Sequence, residues 1–248
     1  MVEQDVELTK QDLEGDPQKP LVLTHRDIAV FKLIHEHRFS PYNQIRIAFW
    51  RDRSRESNSC YGRIERLVKE GYLEKDVSKR RSLPVFFITE VALKELRSRG
   101  LDSDLVLYKK TDDFDRNADH DLKVLSLRLL FAYMGLDNWR SERVLKERDS
   151  KHRIPDGVLI VKGFKIAIEM ENYMKSAPRY GEIFQYYGEN KEYSLVFMIM
   201  DEGLKDWLLK MNYDTKRIWF AGYNDLFKHE GETLFENRNA SFLLNRIL

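Results

Sequence analysis

A hairpin pattern in the C-terminal half of the chain constrains the fold more than any other feature of the sequence. The alternation of residues predicts two strands, Arg153–Val161 and Phe164–Asn172, joined by Lys162-Gly163. A two-residue turn with glycine second is a recognised connector of antiparallel strands. This register makes one face almost entirely apolar, which supports the pairing because a slip of one residue would turn that face outward. The apolar positions are Pro155, Gly157, Leu159, Val161, Phe164, Ile166, Ile168 and Met170.

The same register gathers three carboxylates on the opposite face of the hairpin. Asp156 falls opposite Glu169, and Glu171 shares the face of Glu169 because side chains alternate along a strand. Opposed like charges destabilise a sheet, and a divalent cation that prefers oxygen ligands, Mg²⁺ or Mn²⁺, would relieve the repulsion. Alternatively, the acids are solvated residues on a polar face. The apolar neighbours Val158 and Ala167 favour a carboxylate-lined site.

The composition is that of a folded protein in a reducing compartment. The chain has 248 residues, 42% of them hydrophobic, which is enough for one large domain or two small ones. The single cysteine, Cys60, excludes an internal disulfide framework. No apolar run is long enough for a membrane span, and the acidic, polar start lacks a signal-peptide core. We expect a disordered tail over residues 1–21 and a cytoplasmic location.

The charges nearly cancel over the whole chain but are unevenly distributed. The net charge is +1, whereas residues 38–81 carry 12 Lys or Arg against 6 Asp or Glu, a local net of +6 that leaves −5 for the remainder. A basic block beside an acidic remainder is typical of a protein that contacts a polyanion through one part.

The N-terminal third predicts three helices followed by a two-stranded hairpin. Thr24 and Asp27 form the pattern of a capping box at the first helix, and Gly71 stops the third helix. We expect Tyr61 to lie on the side of the third helix that faces the core. We also expect residues 75–82 to form a basic loop between the two strands. The pattern from Ile64 to Leu73, with the later Phe86-Phe87-Ile88-Thr89, resembles a winged helix-turn-helix over residues 22–99.

The resemblance implies contacts with double-stranded DNA. In such folds the start of the third helix enters the major groove, where Arg reads guanine, Asn reads adenine and Ser donates to phosphate. The residues at that position are Arg53, Ser54, Arg55, Ser57 and Asn58. The wing offers Lys75, Lys79, Arg80 and Arg81 for contacts with the phosphate backbone, and these contacts weaken as salt rises. Winged helices also serve as protein-docking modules, which is the alternative.

The C-terminal part, residues 116–248, follows a polar linker over residues 100–115 and predicts a mixed α/β domain. Its expected order is helix, short strand Trp139–Val144 with Glu142, carboxylate hairpin, helix, buried strand, helix and strand. With Pro155-Asp156 and Glu169-Met170-Glu171, this order resembles the PD-(D/E)xK nuclease superfamily, a restriction-endonuclease-like fold. Together with the winged helix, the motifs resemble the replication-relaxation family, which is associated with plasmids and other mobile elements.

The resemblance assigns roles to five residues. It implies that Asp156, Glu169 and the accessory acid Glu142 bind Mg²⁺ or Mn²⁺ for metal-assisted phosphodiester hydrolysis, that Glu171 is a further ligand or general base, and that Gln185 contacts the scissile strand or orients a ligand. A solvent-facing Gln185 is the alternative.

Glu171 stands where the superfamily usually has a lysine. This replacement is the feature that separates a catalytic function from a non-catalytic one. Lys165 or Lys175 could supply the missing lysine, although each also fits as a surface residue. The protein is then either a DNA-binding nuclease that cleaves or nicks DNA, or a regulator or replication accessory with a degenerate nuclease fold used for binding or dimerisation. A scaffold that binds only protein is the third reading. A homodimer is compatible with either fold.

Overall fold

The computed structural model describes residues 20–50, 57–79, 81–101, 106–108, 114–148, 153–211 and 216–247. The chain divides into two compact units with a boundary between Asp115 and Arg116. Among the described residues, no helix is both long and apolar enough to cross a bilayer.

The N-terminal unit is built from helices around a small antiparallel sheet. Its elements are α1 (His25–His37), β1 (Ser40–Pro41), α2 (Tyr42–Phe49), α3 (Ser57–Lys69), β2 (Leu73–Ser78), β3 (Leu83–Ile88) and α4 (Glu90–Ser98). The strand order is β1-β3-β2. The capping box predicted for α1 is confirmed, because the Thr24 hydroxyl accepts from the Asp27 N–H and the Asp27 carboxylate accepts from the Thr24 N–H. Gly71, at φ 78°, follows the end of α3 as predicted.

Two predictions for this unit are wrong. Lys75 lies inside β2 and not in a loop, because the strand continues to Ser78 and pairs residue by residue with β3. Tyr61 does not face the core. Its side chain is 54% exposed on the flank of α3, where the ring packs edge-on against Tyr42.

Part of the predicted linker packs against the sheet of the N-terminal unit. The Tyr108 ring stacks on Phe87 at 6.2 Å between centroids, and Phe114 lies edge-on to both Phe87 and Phe39. At the other end of the unit, Leu21 packs against the core, while residues 1–19 of the predicted tail lie outside the described residues.

The C-terminal unit is a seven-stranded mixed sheet with helices on both faces. Its elements are a 3₁₀ turn (Phe114–Arg116) at the boundary, α5 (Ala118–Tyr133), β4 (Trp139–Ser141), α6 (Glu142–Arg148), β5 (Gly157–Val161), β6 (Phe164–Glu171), α7 (Ala177–Glu189), β7 (Leu195–Met200), α8 (Glu202–Lys210), β8 (Ile218–Gly222), α9 (Tyr223–His229), a 3₁₀ turn (Glu230–Glu232), β9 (Leu234–Glu236), β10 (Ser241–Leu243) and a 3₁₀ turn (Leu244–Arg246). The strand order is β10-β9-β8-β7-β6-β5-β4, with β6, β7 and β8 parallel. The mixed α/β class that the sequence predicts is confirmed at this level.

The two faces of this sheet are buried against different helices. Leu127 and Phe131 of α5 belong to the core that covers Leu159 and Ile168, whereas Ile183 and Phe184 of α7 belong to the core on the other side. Strand β7 has both faces covered, which explains its continuous apolar sequence.

Candidate functional site

The carboxylate hairpin forms in the predicted register. Val161 pairs with Phe164 and Gly157 with Ile168. The two turn residues between them both adopt left-handed backbone conformations, at φ 50° and φ 86°, as a type I′ turn requires. Regular pairing begins at Gly157, the residue after Asp156, and Asp156 itself lies in a bend. Asp156 therefore lies at the end of the β5–β6 pairing, and Glu169 lies beside it on β6.

Asp156 closes the end of the ladder with its side chain. Its Oδ2 accepts a hydrogen bond from the backbone N–H of Met170 at 2.7 Å and lies 3.1 Å from Nε2 of His120 at the start of α5. Burial lowers the pKa of His120, but hydrogen bonds to Asp121 and Asp156 outweigh it and raise the pKa to about 10. His120 is therefore a cation at neutral pH and neutralises Asp156.

Glu169 is the buried centre of the site. Its Oε1 accepts hydrogen bonds from Nε of Arg153 at 3.1 Å and from the hydroxyl of Tyr187 on α7. Burial first, and then repulsion by Asp156, raises the pKa of Glu169 to about 7, against the opposing influence of Arg153 and Tyr187. Asp156 thus lies close enough to Glu169 to raise its pKa, and the hairpin pattern predicts that the two carboxylates are neighbours.

Glu171 has a cation of its own. Lys175, four residues further along the chain, donates to Glu171 Oε2, while Oε1 is buried without a hydrogen-bond partner among the described residues. Lys165 instead pairs with Glu192 on the surface, at 2.9 Å. Of the two lysines considered in the sequence, only Lys175 reaches a carboxylate of the site.

Glu142 and Gln185 are placed differently from the inner acids. Glu142 is the first residue of helix α6, so its assignment to a strand is wrong. Its carboxylate accepts from Lys146, one turn along, and its N–H donates to the carbonyl of Asp156 at 3.1 Å. Gln185 lies on the exposed side of α7 and donates to Glu189. The backbone thus brings Glu142 beside Asp156, whereas Gln185 points to solvent.

The site as arranged does not fit a preformed metal centre. In the described part of the chain, no group of three or more His, Cys, Asp or Glu side chains converges on a position for a metal ion. Each inner carboxylate instead has a cation, with His120 at Asp156, Arg153 at Glu169 and Lys175 at Glu171. The sequence does not predict His120, Arg153 or Tyr187 as partners of the carboxylates, because these contacts join separate elements and follow no periodic pattern.

The predicted DNA-contacting residues are only partly described. Arg53, Ser54, Arg55 and Arg80 lie outside the described residues, and for Ser57 and Asn58 only the backbone at the start of α3 is described.

The described basic residues of the β2–β3 hairpin differ in their surroundings. Lys75 forms an ion pair with Glu65 of α3 at 2.6 Å, and its ammonium lies 5.9 Å from the centre of the Tyr61 ring. Lys79 and Arg81 are exposed in the hairpin turn. Asp115 holds the base of this turn, because its carboxylate accepts from the Ser78 hydroxyl and from the Lys79 N–H.

Comparison with known proteins gives one match. No curated protein and no solved structure matches the chain. A sequence model of the replication-relaxation family matches residues 31–193, about two thirds of the chain, and the match includes both the β2–β3 hairpin and the carboxylate hairpin. The resemblance drawn from the sequence motifs is confirmed, and the chain belongs to the replication-relaxation family.

Proposed function

We propose that this protein binds duplex DNA through its N-terminal unit, in the replication or relaxation of a plasmid or another mobile element. Family membership supports the process. The observation that carries the binding mode is the element order, in which α1, α2 and α3 precede a β-hairpin and β1 completes a three-stranded sheet. This is the order of a winged helix, whose third helix and wing contact DNA.

The positions of the basic residues support the same surface. Helix α3 begins at Ser57, two residues after the arginine-rich segment 51–55, and Lys79 and Arg81 are exposed in the turn at the tip of the hairpin. Asp115 fixes that turn to the body of the unit, which limits the ordering entropy that binding would cost. Lys75 is neutralised by Glu65, so we assign it to positioning the wing against α3 and not to an independent phosphate contact.

The test is the salt dependence of duplex binding by the double variant Lys79→Ala/Arg81→Ala. If each side chain contacts a phosphate, the slope of log K against log salt falls in magnitude by about 2, because each contact contributes roughly 0.9. The matched control is Lys162→Ala/Lys210→Ala, which removes the same charge from exposed positions of the C-terminal unit. An equal change in both double variants would mean that only net charge matters and would contradict the proposed surface.

Metal-assisted phosphodiester hydrolysis at Asp156, Glu169 and Glu142 is the second candidate. Burial, and then repulsion by Asp156, raises the pKa of Glu169, and this repulsion favours a cation between the two carboxylates. The ion pairs of His120 and Arg153 oppose it, because both would have to give up their carboxylates to Mg²⁺ or Mn²⁺. The alternative is a replication accessory whose nuclease-like unit serves binding or homodimerisation.

Calorimetry with Mg²⁺ and Mn²⁺ separates these alternatives when it is combined with plasmid nicking under the same conditions. Metal binding and nicking by the wild type that are both lost in Asp156→Ala would support the nuclease. Neither metal binding at millimolar concentration nor nicking would support the accessory role. Duplex binding by the N-terminal unit is measured separately, so neither outcome affects that proposal.

A further inference from the structure

A pocket lies beside the carboxylate site, and neither the proposed duplex binding nor the proposed hydrolysis uses it. It has a volume of about 620 Å³ and lies at the β4 edge of the sheet, on the side covered by α7. Arg140 and Leu145 line it from β4 and α6, Ile154 from the segment before Asp156, and Tyr186 and Tyr193 from α7 and the loop that follows. Its size is that of a small-molecule site, which in proteins spans roughly 300 to 1,000 Å³.

The aromatic wall of this pocket is fixed in place. The Tyr186 hydroxyl donates to the carbonyl of Arg153 at 2.8 Å and accepts from the Asn190 amide at 2.9 Å. Tyr193 packs edge-on against Tyr187. Rings that are already ordered lose little freedom when a flat group stacks on them. The wall therefore suits a planar ligand such as a nucleic-acid base.

The charged residues of the pocket favour a ligand with a single anionic group, because two of the three cations in its lining are already paired. Lys165 is paired with Glu192, and Arg153 is paired with Glu169. Among the residues that the structure describes, the Arg140 side chain makes no hydrogen bond or ion pair, and it lines the pocket. An arginine fork matches the oxygens of a phosphate.

The acidic residues of the lining narrow the class of ligand further. Glu189 also lines the pocket, and its negative charge disfavours a second phosphate inside the cavity. Carboxylates instead accept hydrogen bonds from the amino groups of bases. A ligand with one phosphate at one end and an N–H-bearing planar group at the other satisfies both requirements.

We propose that this pocket binds one nucleoside monophosphate unit, with its phosphate at Arg140 and its base against Tyr186. Arg153 lines the pocket and also holds Glu169, so the bound nucleotide lies next to the carboxylates. The unit is either a free nucleotide or part of a DNA strand. The second source rests on the proposed function, whereas binding of a free nucleotide does not.

The test is binding of deoxynucleoside monophosphates and of a single-stranded tetranucleotide to the full chain, measured by calorimetry. We expect Arg140→Gln to weaken binding of both by about tenfold to a hundredfold, the loss expected for a charged hydrogen bond. Arg140→Lys recovers part of the affinity. Arg179→Gln is the matched control, because Arg179 is an exposed arginine of α7 that is paired with Glu182. Tighter binding of the tetranucleotide than of the monophosphate identifies a DNA strand as the source, and equal binding identifies the free nucleotide.

A pocket-filling variant gives an independent test. Leu145→Trp places an indole in the cavity and is expected to abolish binding while the thermal midpoint stays near that of the wild type. The inference is overturned if the wild type binds neither ligand at millimolar concentration, if Arg140→Gln and Leu145→Trp bind as the wild type does, or if inorganic phosphate binds as tightly as the nucleotide. Duplex binding by the Lys79 and Arg81 variants is unaffected by any of these results, so failure here is distinct from failure of the proposed function.

Discussion

At the scale of single residues, buried carboxylates in this chain are held by hydrogen bonds from specific partners. Asp27, fully buried at the start of α1, accepts from Arg63 and from Thr24. Burial raises the pKa of Asp27, but the hydrogen bonds from Arg63 and Thr24 outweigh it and hold the pKa below its usual value of 3.8. The ionised carboxylate therefore stabilises the N-terminal unit wherever it stays charged.

Asp27→Asn tests this at one position. We expect the free energy of unfolding at pH 7 to fall by about 2 kcal/mol, because the cap and the ion pair are both weakened. Since the folded pKa is lowered, the contribution of Asp27 is present above about pH 4 and is lost as the pH falls through the folded pKa. Urea unfolding should show a deficit of the variant that is constant near neutral pH and shrinks as the pH falls below about 4. A deficit that stays constant with pH would contradict the assignment to ionised Asp27.

Gly157 is required by a close approach and not by its backbone angles. A Cβ atom added there would lie 2.0 Å from Cζ2 of Trp139 on the neighbouring strand. We expect Gly157→Ala to cost about 3 kcal/mol by overpacking, measured by urea unfolding. Gly188→Ala is the control: a Cβ at this helical position meets nothing within 4 Å. Alanine there should be neutral or stabilising by up to about 1 kcal/mol.

At the scale of elements, the sequence predicts most where one strong period governs the segment. The register of β5 and β6 follows from strict alternation and a glycine-containing turn, and the buried strand β7 from its unbroken apolar run. The strand predicted over Trp139–Val144 instead ends at Ser141, and Glu142 begins helix α6. A better signal was available in Glu142 and Lys146, a helical i,i+4 pair that the structure forms.

The cations of the site show why the remainder was not predictable. Arg153 reaches Glu169 from the irregular segment before β5, and His120 reaches Asp156 from a separate helix. Tyr61 lies three residues before Ile64, a helical spacing that predicts a core position. The position is on the flank, where Lys75 from the hairpin covers part of the ring. Such contacts depend on how elements pack and not on the pattern within one element.

The β5–β6 turn can be tested in both directions. Lys162 occupies a left-handed position that asparagine adopts more readily, so Lys162→Asn is expected to stabilise the chain by a few tenths of a kcal/mol, roughly. Gly163→Ala, at φ 86°, should cost about 1 kcal/mol for the same reason. Urea unfolding measures both. The turn assignment fails if alanine at position 163 is tolerated without loss.

At the scale of the whole molecule, the chain contains separate buried cores within its two units. Ile34, Ile64 and Phe86 belong to the core of the N-terminal unit, whereas the C-terminal sheet has a core on each face. Because each unit has its own core, we expect each to unfold as its own cooperative transition, and a single two-state analysis would then not apply.

Tryptophan positions make this prediction measurable. Trp50 belongs to the N-terminal unit, and Trp139, Trp207 and Trp219 belong to the C-terminal unit. Tryptophan fluorescence of a Trp50→Phe protein therefore reports the unfolding of the C-terminal unit alone, while circular dichroism reports the unfolding of both units. Adding Gly163→Ala should lower the urea midpoint seen by fluorescence, whereas adding Asp27→Asn should leave it unchanged and shift only the other transition in circular dichroism. If Asp27→Asn lowers the fluorescence midpoint as much as Gly163→Ala does, the two units unfold together, and the duplex-binding and carboxylate sites belong to one cooperative structure.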